Sequence, residues 1–447
     1  MTYPTVTVRS LLAVGALALS LTALASFAAS CPALIDRFAE PVPVADRFMV
    51  TEWRLPATSP PFAAILFVPA TWLPAATLNA VAAAANMLLL ALLVRLSWRF
   101  AGRLHHASAY VTPVPTPAPT LVPTTAPTPV PATVPATVLL GLPVLVALGL
   151  WLEPVLRTLL FGEISLALTC LVLWDLTRPD HALGKGFALG IAAGVELTPA
   201  LFIAYLLLTG RAESVRAGLT ALASLIGTML LGALVLPRSS LDFWTLRVFE
   251  TGRLGEGWAV ENQSLQGLFA RALHTTEPGV GWAVACVVIT FAGLWLARRA
   301  VVRAGLDTWG VLVTALTALL VSPVSWSHHW VWCVPLLAVL LAEGRWRTAS
   351  AVALVFATRT FRLVPHEGGA ELQLPWWQQL LAAPYVLLAL ALLAYAGWRG
   401  RRPAGQGPPP ATRAPRCRPA TSLQPLQARR PAGTQLPASN SSASTMR

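Results

Sequence analysis

Apolar residues occur in long runs along this chain, and polar residues are concentrated between the runs. Ten runs have lengths that suit a helix buried in a bilayer, although several are shorter than the roughly 20 residues of a straight span. They lie near residues 11–30, 77–94, 138–152, 164–177, 217–236, 280–297, 308–322, 330–342, 348–360 and 380–398. The pattern predicts an all-α polytopic membrane protein with about ten transmembrane helices. The first run also fits a cleaved signal peptide, but the many later spans favour an uncleaved helix.

Two further apolar segments, 60–74 and 186–209, are interrupted by prolines. The second also carries Glu196 beside Pro199 at its middle. Proline removes a backbone donor, and a broken helix is tolerated at membrane depth only where protein or water surrounds it. We therefore expect both segments to be re-entrant hairpins, which return to the side of the membrane from which they came.

The charge balance supports a membrane protein and predicts its orientation. Apolar residues make up 55% of the chain and charged residues 11%, which is too few to cover a soluble protein of 447 residues. With the N-terminus inside and ten alternating spans, the inner segments collect 22 of the 32 basic residues but only 5 of the 19 acidic ones. This positive-inside bias also accounts for the net charge of +13 without nucleic acid as a partner. Both termini are predicted to be cytoplasmic.

Low-complexity segments divide the chain into four predicted parts. Residues 1–111 hold the first transmembrane helices and an outer loop, and residues 112–137 form a Pro/Thr-rich cytoplasmic spacer. Residues 138–400 hold the remaining transmembrane helices. Residues 401–447 are predicted to be a disordered, basic cytoplasmic tail.

Potentially reactive side chains are predicted to lie on the outer side of the membrane. Asp36 follows the first span, and His328 and His329 stand beside tryptophans between two later spans. The histidine pair could bind a metal, a sugar or a phosphate, or anchor the helix at the membrane interface. No acidic residue nearby has metal-ligand spacing, so we expect no metal. Glu196 is a carboxylate at membrane depth, which is usually functional or paired.

Five sequence blocks occur in an order that resembles a known family. They are SPPFAAILFVP from Ser59, FGEISLAL from Phe161, VELTPALF from Val195, ENQSL from Glu261 and SPVSWSHHW from Ser322. Together they resemble the polyprenyl-phosphate-mannose-dependent α-mannosyltransferases of glycosyltransferase family 87. The likeness covers roughly residues 10–400 without the spacer. It implies the multi-helix GT-C fold, with an active site that faces the extracytoplasmic side.

The resemblance implies transfer of a hexose, mannose in the family, from a polyprenyl-phosphate donor to a glycolipid or lipoglycan acceptor in the cell envelope. Such a single displacement inverts the anomeric configuration and requires a base for the acceptor hydroxyl. Asp36 fits the position of the family's proposed base. His328 and His329 are expected to contact the donor phosphate or sugar, and Asn262 and Gln263 are expected to contact donor or acceptor. No cofactor is expected.

The chain departs from the family's usual residues at three positions. Ser59 replaces a tyrosine, Glu163 replaces a glutamine, and Glu196 replaces a lysine. We include Glu163 and Glu196 among the predicted donor-binding residues. Because an anion at residue 196 would repel a phosphodiester, two alternatives stay open. The chain could be a catalytically weakened protein that serves in binding or as a scaffold, or, with less support, a transporter.

Overall fold

The computed structural model describes residues 49–50, 55–56, 59–109, 144–250, 252, 255–366 and 368–399. All of them belong to the first of two units, residues 1–404. The first predicted span with Asp36, the Pro/Thr-rich spacer and the basic tail lie outside the described residues.

The described part of the chain is helical apart from one antiparallel pair of two-residue strands, β1 (Met49–Val50) and β2 (Leu55–Pro56). Its α-helices are α1 Pro61–Phe67, α2 Ala75–Ala109, α3 Val144–Leu150, α4 Glu153–Phe161, α5 Ser165–Leu176, α6 Phe187–Val195, α7 Ala200–Thr209, α8 Ala212–Val235, α9 Pro237–Thr245, α10 Leu265–Ala272, α11 Gly279–Ala304, α12 Asp307–Val321, α13 Cys333–Ala342, α14 Trp346–Thr358, α15 Trp376–Ala382 and α16 Pro384–Arg399. Short 3-10 turns cover Val68–Trp72, Arg247–Phe249, Ser327–Trp332, Thr360–Arg362 and Ala370–Gln373.

Three of these helices, α2, α8 and α11, are long and apolar enough to cross a membrane. Two bent pairs, α3–α4 at 81° and α15–α16 at 78°, raise the number to five if each pair is one span. The structure thus confirms an all-α protein with membrane-spanning helices, but it does not confirm ten spans. Both bends fall at prolines, Pro154 and Pro384, where the missing N–H and the restricted preceding residue interrupt a helix.

The two segments predicted to be broken are indeed interrupted helices. In the first, α1 gives way to a 3-10 turn at Val68–Trp72. In the second, α6 ends before Glu196 and α7 begins after Pro199. Whether either segment returns to its original side stays a prediction.

Helix α6 packs directly against the backbone of α8 through its glycines. A Cβ at Gly190 would clash with the carbonyl oxygen of Ala221, and one at Gly194 would clash with the side chain of Thr228. Small residues at four-residue spacing allow such close approach, which favours helix association in membranes. This contact positions the break after α6, where Glu196 lies.

Helix α12 occupies the centre of the helical assembly and is buried along almost its whole length. It contacts α11, α7 and α16, and its apolar residues are typical of a helix that is surrounded by protein. Its polar Thr314 and Thr317 donate to the carbonyl oxygens of Gly310 and Val313, four residues earlier. The helix ends at Val321, so it delivers the following histidine turn to a fixed place.

Candidate active site

One cavity lies where α5, α12, the α6–α7 break and the turn Ser327–Trp332 meet. The space in it that a water molecule can reach is about 40 Å³. The polar residues on its wall are Ser165, Thr169, Glu196, Thr198 and His329. The wall also contains Phe202 and Trp332, whose rings stack with centroids 5.3 Å apart. A few convergent polar groups beside an apolar wall are typical of a small-molecule site.

Glu196 reaches this cavity because α6 ends immediately before it. Its N–H still donates to the carbonyl of Ala192, 3.0 Å away, but its backbone is extended. The Thr198 hydroxyl donates to the Glu196 carboxylate at 2.9 Å. The carboxylate therefore has one local partner and keeps acceptor capacity that can be directed to a ligand.

The two adjacent histidines occupy different environments. Their rings are nearly perpendicular, at 84°, with centroids 4.5 Å apart. His329 lines the cavity, whereas His328 is buried, with its Nε2 3.8 Å from a carboxylate oxygen of Glu163. The structure thus brings together four of the predicted site residues, Glu163, Glu196, His328 and His329. No cluster of three or more metal-ligating side chains occurs in the described ranges.

Glu163 is positioned by a tight turn at the end of α4. Gly162 adopts a left-handed conformation, with φ of 68°, which closes the helix and which glycine adopts without strain. The Asn86 side chain on α2 donates to the backbone oxygen of Glu163 at 3.1 Å. Desolvation by the surrounding protein raises the pKa of Glu163; His329 opposes this shift and the Glu196 carboxylate adds to it.

Asn262 and Gln263 are fully buried, and their amides bind backbone groups. Asn262 donates to Gly257 at 2.8 Å and to Pro323 at 3.1 Å, and its side-chain oxygen accepts from the N–H of Ser325 at 2.9 Å. The Gln263 amide nitrogen donates to the Ala382 carbonyl at 2.7 Å. The bonds of Asn262 to Pro323 and Ser325 join the loop before α10 to the segment that leads into the histidine turn, and the Gln263 bond joins that loop to the end of α15. A direct contact with donor or acceptor stays a prediction.

A buried polar cluster at the start of α4 was not predicted from the sequence. Glu153 is only 3% exposed, and it accepts hydrogen bonds from Ser327 at 2.7 Å and from the Tyr385 hydroxyl at 2.9 Å. The segment stood out little in the sequence because its residues are mostly apolar. A usable signal was present, since Glu153 and Arg157 are four residues apart on one helix face.

Arg157 continues this cluster towards Glu261 and Arg362. Its Nη1 lies 3.7 Å from a carboxylate oxygen of Glu261, and Nη2 of Arg362 lies 3.8 Å from the same oxygen. The guanidinium of Arg157 also lies over the ring of Phe161, at 5.1 Å from its centre. Asp36, the predicted base, lies outside the described residues, so its position relative to this site is not described.

Comparisons with known proteins identify the chain's relatives. The profile of glycosyltransferase family 87 matches residues 57–323. A polyprenol-phosphate-mannose-dependent alpha-(1-2)-phosphatidylinositol mannoside mannosyltransferase of Mycobacterium tuberculosis (strain ATCC 25618 / H37Rv) is 34% identical over 352 residues, which cover 77% of each chain. The protein with the same description from Mycolicibacterium smegmatis is 31% identical over 358 residues, 77% of this chain and 76% of the relative.

A third relative has a different description. It is a polyprenol-phosphate-mannose-dependent alpha-(1-2)-phosphatidylinositol pentamannoside mannosyltransferase of Mycobacterium tuberculosis (strain CDC 1551 / Oshkosh). It is 28% identical over 358 residues, 78% of this chain and 74% of the relative. No solved structure matches the chain.

Proposed function

We propose, since the chain belongs to glycosyltransferase family 87, that it transfers mannose from polyprenol phosphate mannose to a phosphatidylinositol mannoside. The protein is a membrane glycosyltransferase, and three long apolar helices are available to hold it in the bilayer. The donor and acceptor are those in the descriptions of the two most fully covered relatives. Because donor and acceptor both carry a lipid part, both can reach the site from the bilayer.

The transferred sugar is assigned to the cavity that contains Glu196, Thr198 and His329. The observation that carries this assignment is the meeting of a carboxylate, a hydroxyl and an imidazole beside the stacked Phe202 and Trp332. A carboxylate accepts hydrogen bonds from sugar hydroxyls without a proton transfer. Glu196 therefore suits the sugar end of the donor, which is uncharged, better than the phosphate end.

The reaction is a single displacement at the anomeric carbon. An acceptor hydroxyl oxygen forms the new glycosidic bond as the bond from the anomeric carbon to the phosphate oxygen breaks, and the electron pair leaves with the phosphate. Asp36 is proposed to take the hydroxyl proton, which fits its place after the first span and the family's proposed base. His328 and His329 are proposed to hold the donor beside that carbon.

The site is proposed to face the extracytoplasmic side of the plasma membrane. This rests on the distribution of charge, with 22 of 32 basic residues on the side opposite the site in the ten-span arrangement. The broken segments at Val68–Trp72 and after α6 support the two hairpins of that arrangement. In the same arrangement both termini are cytoplasmic.

Transfer with purified full-length protein tests the function. Radiolabelled mannose is supplied either as polyprenol phosphate mannose or as a nucleotide sugar, together with a phosphatidylinositol mannoside. We expect a labelled product that is one mannose larger, from the lipid donor alone. Failure to transfer from the lipid donor, or equal use of the nucleotide sugar, would contradict the proposal.

The base is tested by a matched pair of variants in the same outer loop. Asp36→Asn is expected to lower kcat by about 10²-fold or more, because positioned proton transfer typically contributes 10²–10⁴-fold. Asp46→Asn makes the same chemical change ten residues later in the chain and should leave kcat near that of the parent protein. Equal rates for the two variants would remove Asp36 from this role.

A further inference from the structure

Arg157 and Arg362 approach one carboxylate oxygen without making a hydrogen bond to it. Their nitrogens lie 3.7 Å and 3.8 Å from the same oxygen of Glu261, beyond the usual range for N–H···O contacts. The two arginines come from different elements, α4 and the 3-10 turn Thr360–Arg362. Two guanidinium groups therefore converge on one point, and Glu261 binds both of them only loosely.

Arg157 is the more buried of the two arginines. Its side chain is 18% exposed, against 45% for Arg362, and its Nη1 is shielded from solvent without a hydrogen-bond partner among the described residues. Glu153 does not supply that partner: the hydrogen bonds that its oxygens accept come from Ser327 and Tyr385. A buried N–H without an acceptor costs free energy that a ligand with exposed oxygens would recover.

The arginine pair adjoins the sugar cavity. Helix α4 contacts the histidine turn next to Arg157: the Thr158 hydroxyl donates to the backbone oxygen of His328 at 3.4 Å, and His328 is next to the cavity residue His329. Phe161 covers one face of the Arg157 guanidinium, which leaves its edge to donate hydrogen bonds. An anion bound by the two arginines would thus lie beside a ligand held by His329.

We propose that Arg157 and Arg362 bind the phosphate of the lipid-linked donor, and that this phosphate replaces Glu261 as their shared partner. The proposal rests on the proposed function, which supplies a phosphodiester joined directly to the sugar. It separates the two ends of the donor: the sugar lies by Glu196, and the phosphate lies by the arginines, away from that carboxylate.

This arrangement also explains how the leaving group is stabilised. The donor phosphodiester carries one negative charge, and the phosphomonoester released when the sugar–oxygen bond breaks carries up to two. Guanidinium groups form paired, charge-assisted hydrogen bonds to phosphate oxygens. Donors fixed where negative charge develops lower the barrier because they need little reorganisation during the reaction.

Binding of a short-chain polyprenyl phosphate and of the matching polyprenol tests the proposal with full-length protein in detergent micelles. The two lipids share a tail, so the ratio of their dissociation constants reports phosphate recognition alone. We expect the parent protein to prefer the phosphate at least about tenfold, and Arg157→Gln or Arg362→Gln to lose about tenfold of that preference. Unchanged polyprenol binding verifies that each variant is folded.

Glu261→Gln separates a ligand-binding role from a purely structural one. If Glu261 competes with phosphate, Glu261→Gln should strengthen the preference for the phosphate lipid. If the three side chains only brace the loops, Glu261→Gln should weaken it as Arg157→Gln does, and that result would overturn the proposal. The control is Arg211→Gln, which breaks the 2.8 Å ion pair between Arg211, just before α8, and Asp307, the first residue of α12, and should behave as the parent.

The outcomes distinguish this inference from the proposed function. Suppose that the parent protein transfers no mannose, but that Arg157→Gln loses the preference for the phosphate lipid. That result would refute the proposed function and leave the phosphate site supported. If the parent protein transfers mannose and both arginine variants keep the full preference for the phosphate lipid, only the phosphate site is refuted. Arg157→Lys adds a further check, since it retains the charge but loses the guanidinium fork and should show an intermediate preference.

Discussion

The hydroxyl of Tyr385 ties α16 to the first residue of α4, so its removal tests the buried cluster at Glu153. Tyr385→Phe deletes one oxygen and keeps the ring, which packs on Phe356 and Phe361 with centroids 4.7 Å and 5.7 Å away. The lost bond joins the hydroxyl to a carboxylate oxygen at 2.9 Å. Leaving a buried acceptor without its partner costs about 1–3 kcal/mol, so the free energy of unfolding should fall by about 2 kcal/mol.

The assay is reversible chemical unfolding of the full-length protein in mixed micelles, followed by tryptophan fluorescence. Tyr205→Phe is the matched control, because Tyr205 is also buried and no hydroxyl hydrogen bond is present for it among the described residues. That variant should change stability by no more than about 0.5 kcal/mol. If Tyr385→Phe were as mild as Tyr205→Phe, the proposed link between α16 and α4 would be refuted. A double-mutant cycle with Glu153→Gln should then also give no coupling.

Three further predictions concern the helix contact, the acidic turn and the buried amide. Gly190→Ala should destabilise the protein by about 1–3 kcal/mol, because the added Cβ meets the backbone of α8. Gly227→Ala has open space around it and should be neutral or stabilising. If thermal unfolding ranks the two variants otherwise, the close contact between α6 and α8 is contradicted. Because the pKa of Glu163 is raised in the folded protein, folding favours its protonated form. The free energy of unfolding should therefore fall as pH rises from about 4.3 through the raised pKa. In a pH series of unfolding measurements, Glu163→Gln should make that fall smaller. Asn262→Ala should cost about 3 kcal/mol because three backbone partners, two of them buried, lose their bonds, whereas Gln373→Ala, at an exposed residue, should cost almost nothing. Equal midpoints in chemical unfolding would show that those bonds do not hold the loop.

Local sequence signals predicted the helical class and most helix positions, but not the path of the helices through the membrane. The long runs that became α2, α8 and α11 were readable because uninterrupted apolar residues have one stable solution in lipid. The runs near 138–152 and 380–398 contain bends of about 80° at proline junctions. The sequence shows that a helix stops at such a proline, but the angle depends on tertiary packing.

The candidate site was only partly predictable for a related reason. His328, His329, Glu163 and Glu196 stand out in the sequence because polar residues are rare in these segments, and the structure brings them together. Tyr385 gave no such signal, since its partner Glu153 is 232 residues away in the chain.

Arg157 and Arg362 were equally hard to connect, because 205 residues of sequence separate them and only the fold places both beside Glu261. Asn262 and Gln263 show the opposite case. Their polarity suggested ligand contacts, yet in the structure their amides bind buried carbonyl and N–H groups.

The central claim is that the transferred sugar occupies the cavity between the α6–α7 break and the histidine turn. A donor analogue with a photoreactive group on its mannose, irradiated with the full-length protein and followed by peptide mass analysis, tests it most directly. We expect adducts on peptides that contain Glu196–Phe202 and His329–Trp332, and we expect excess unlabelled donor to reduce them. Adducts confined to the apolar groove lined by Trp98, Leu341 and their neighbours would contradict it.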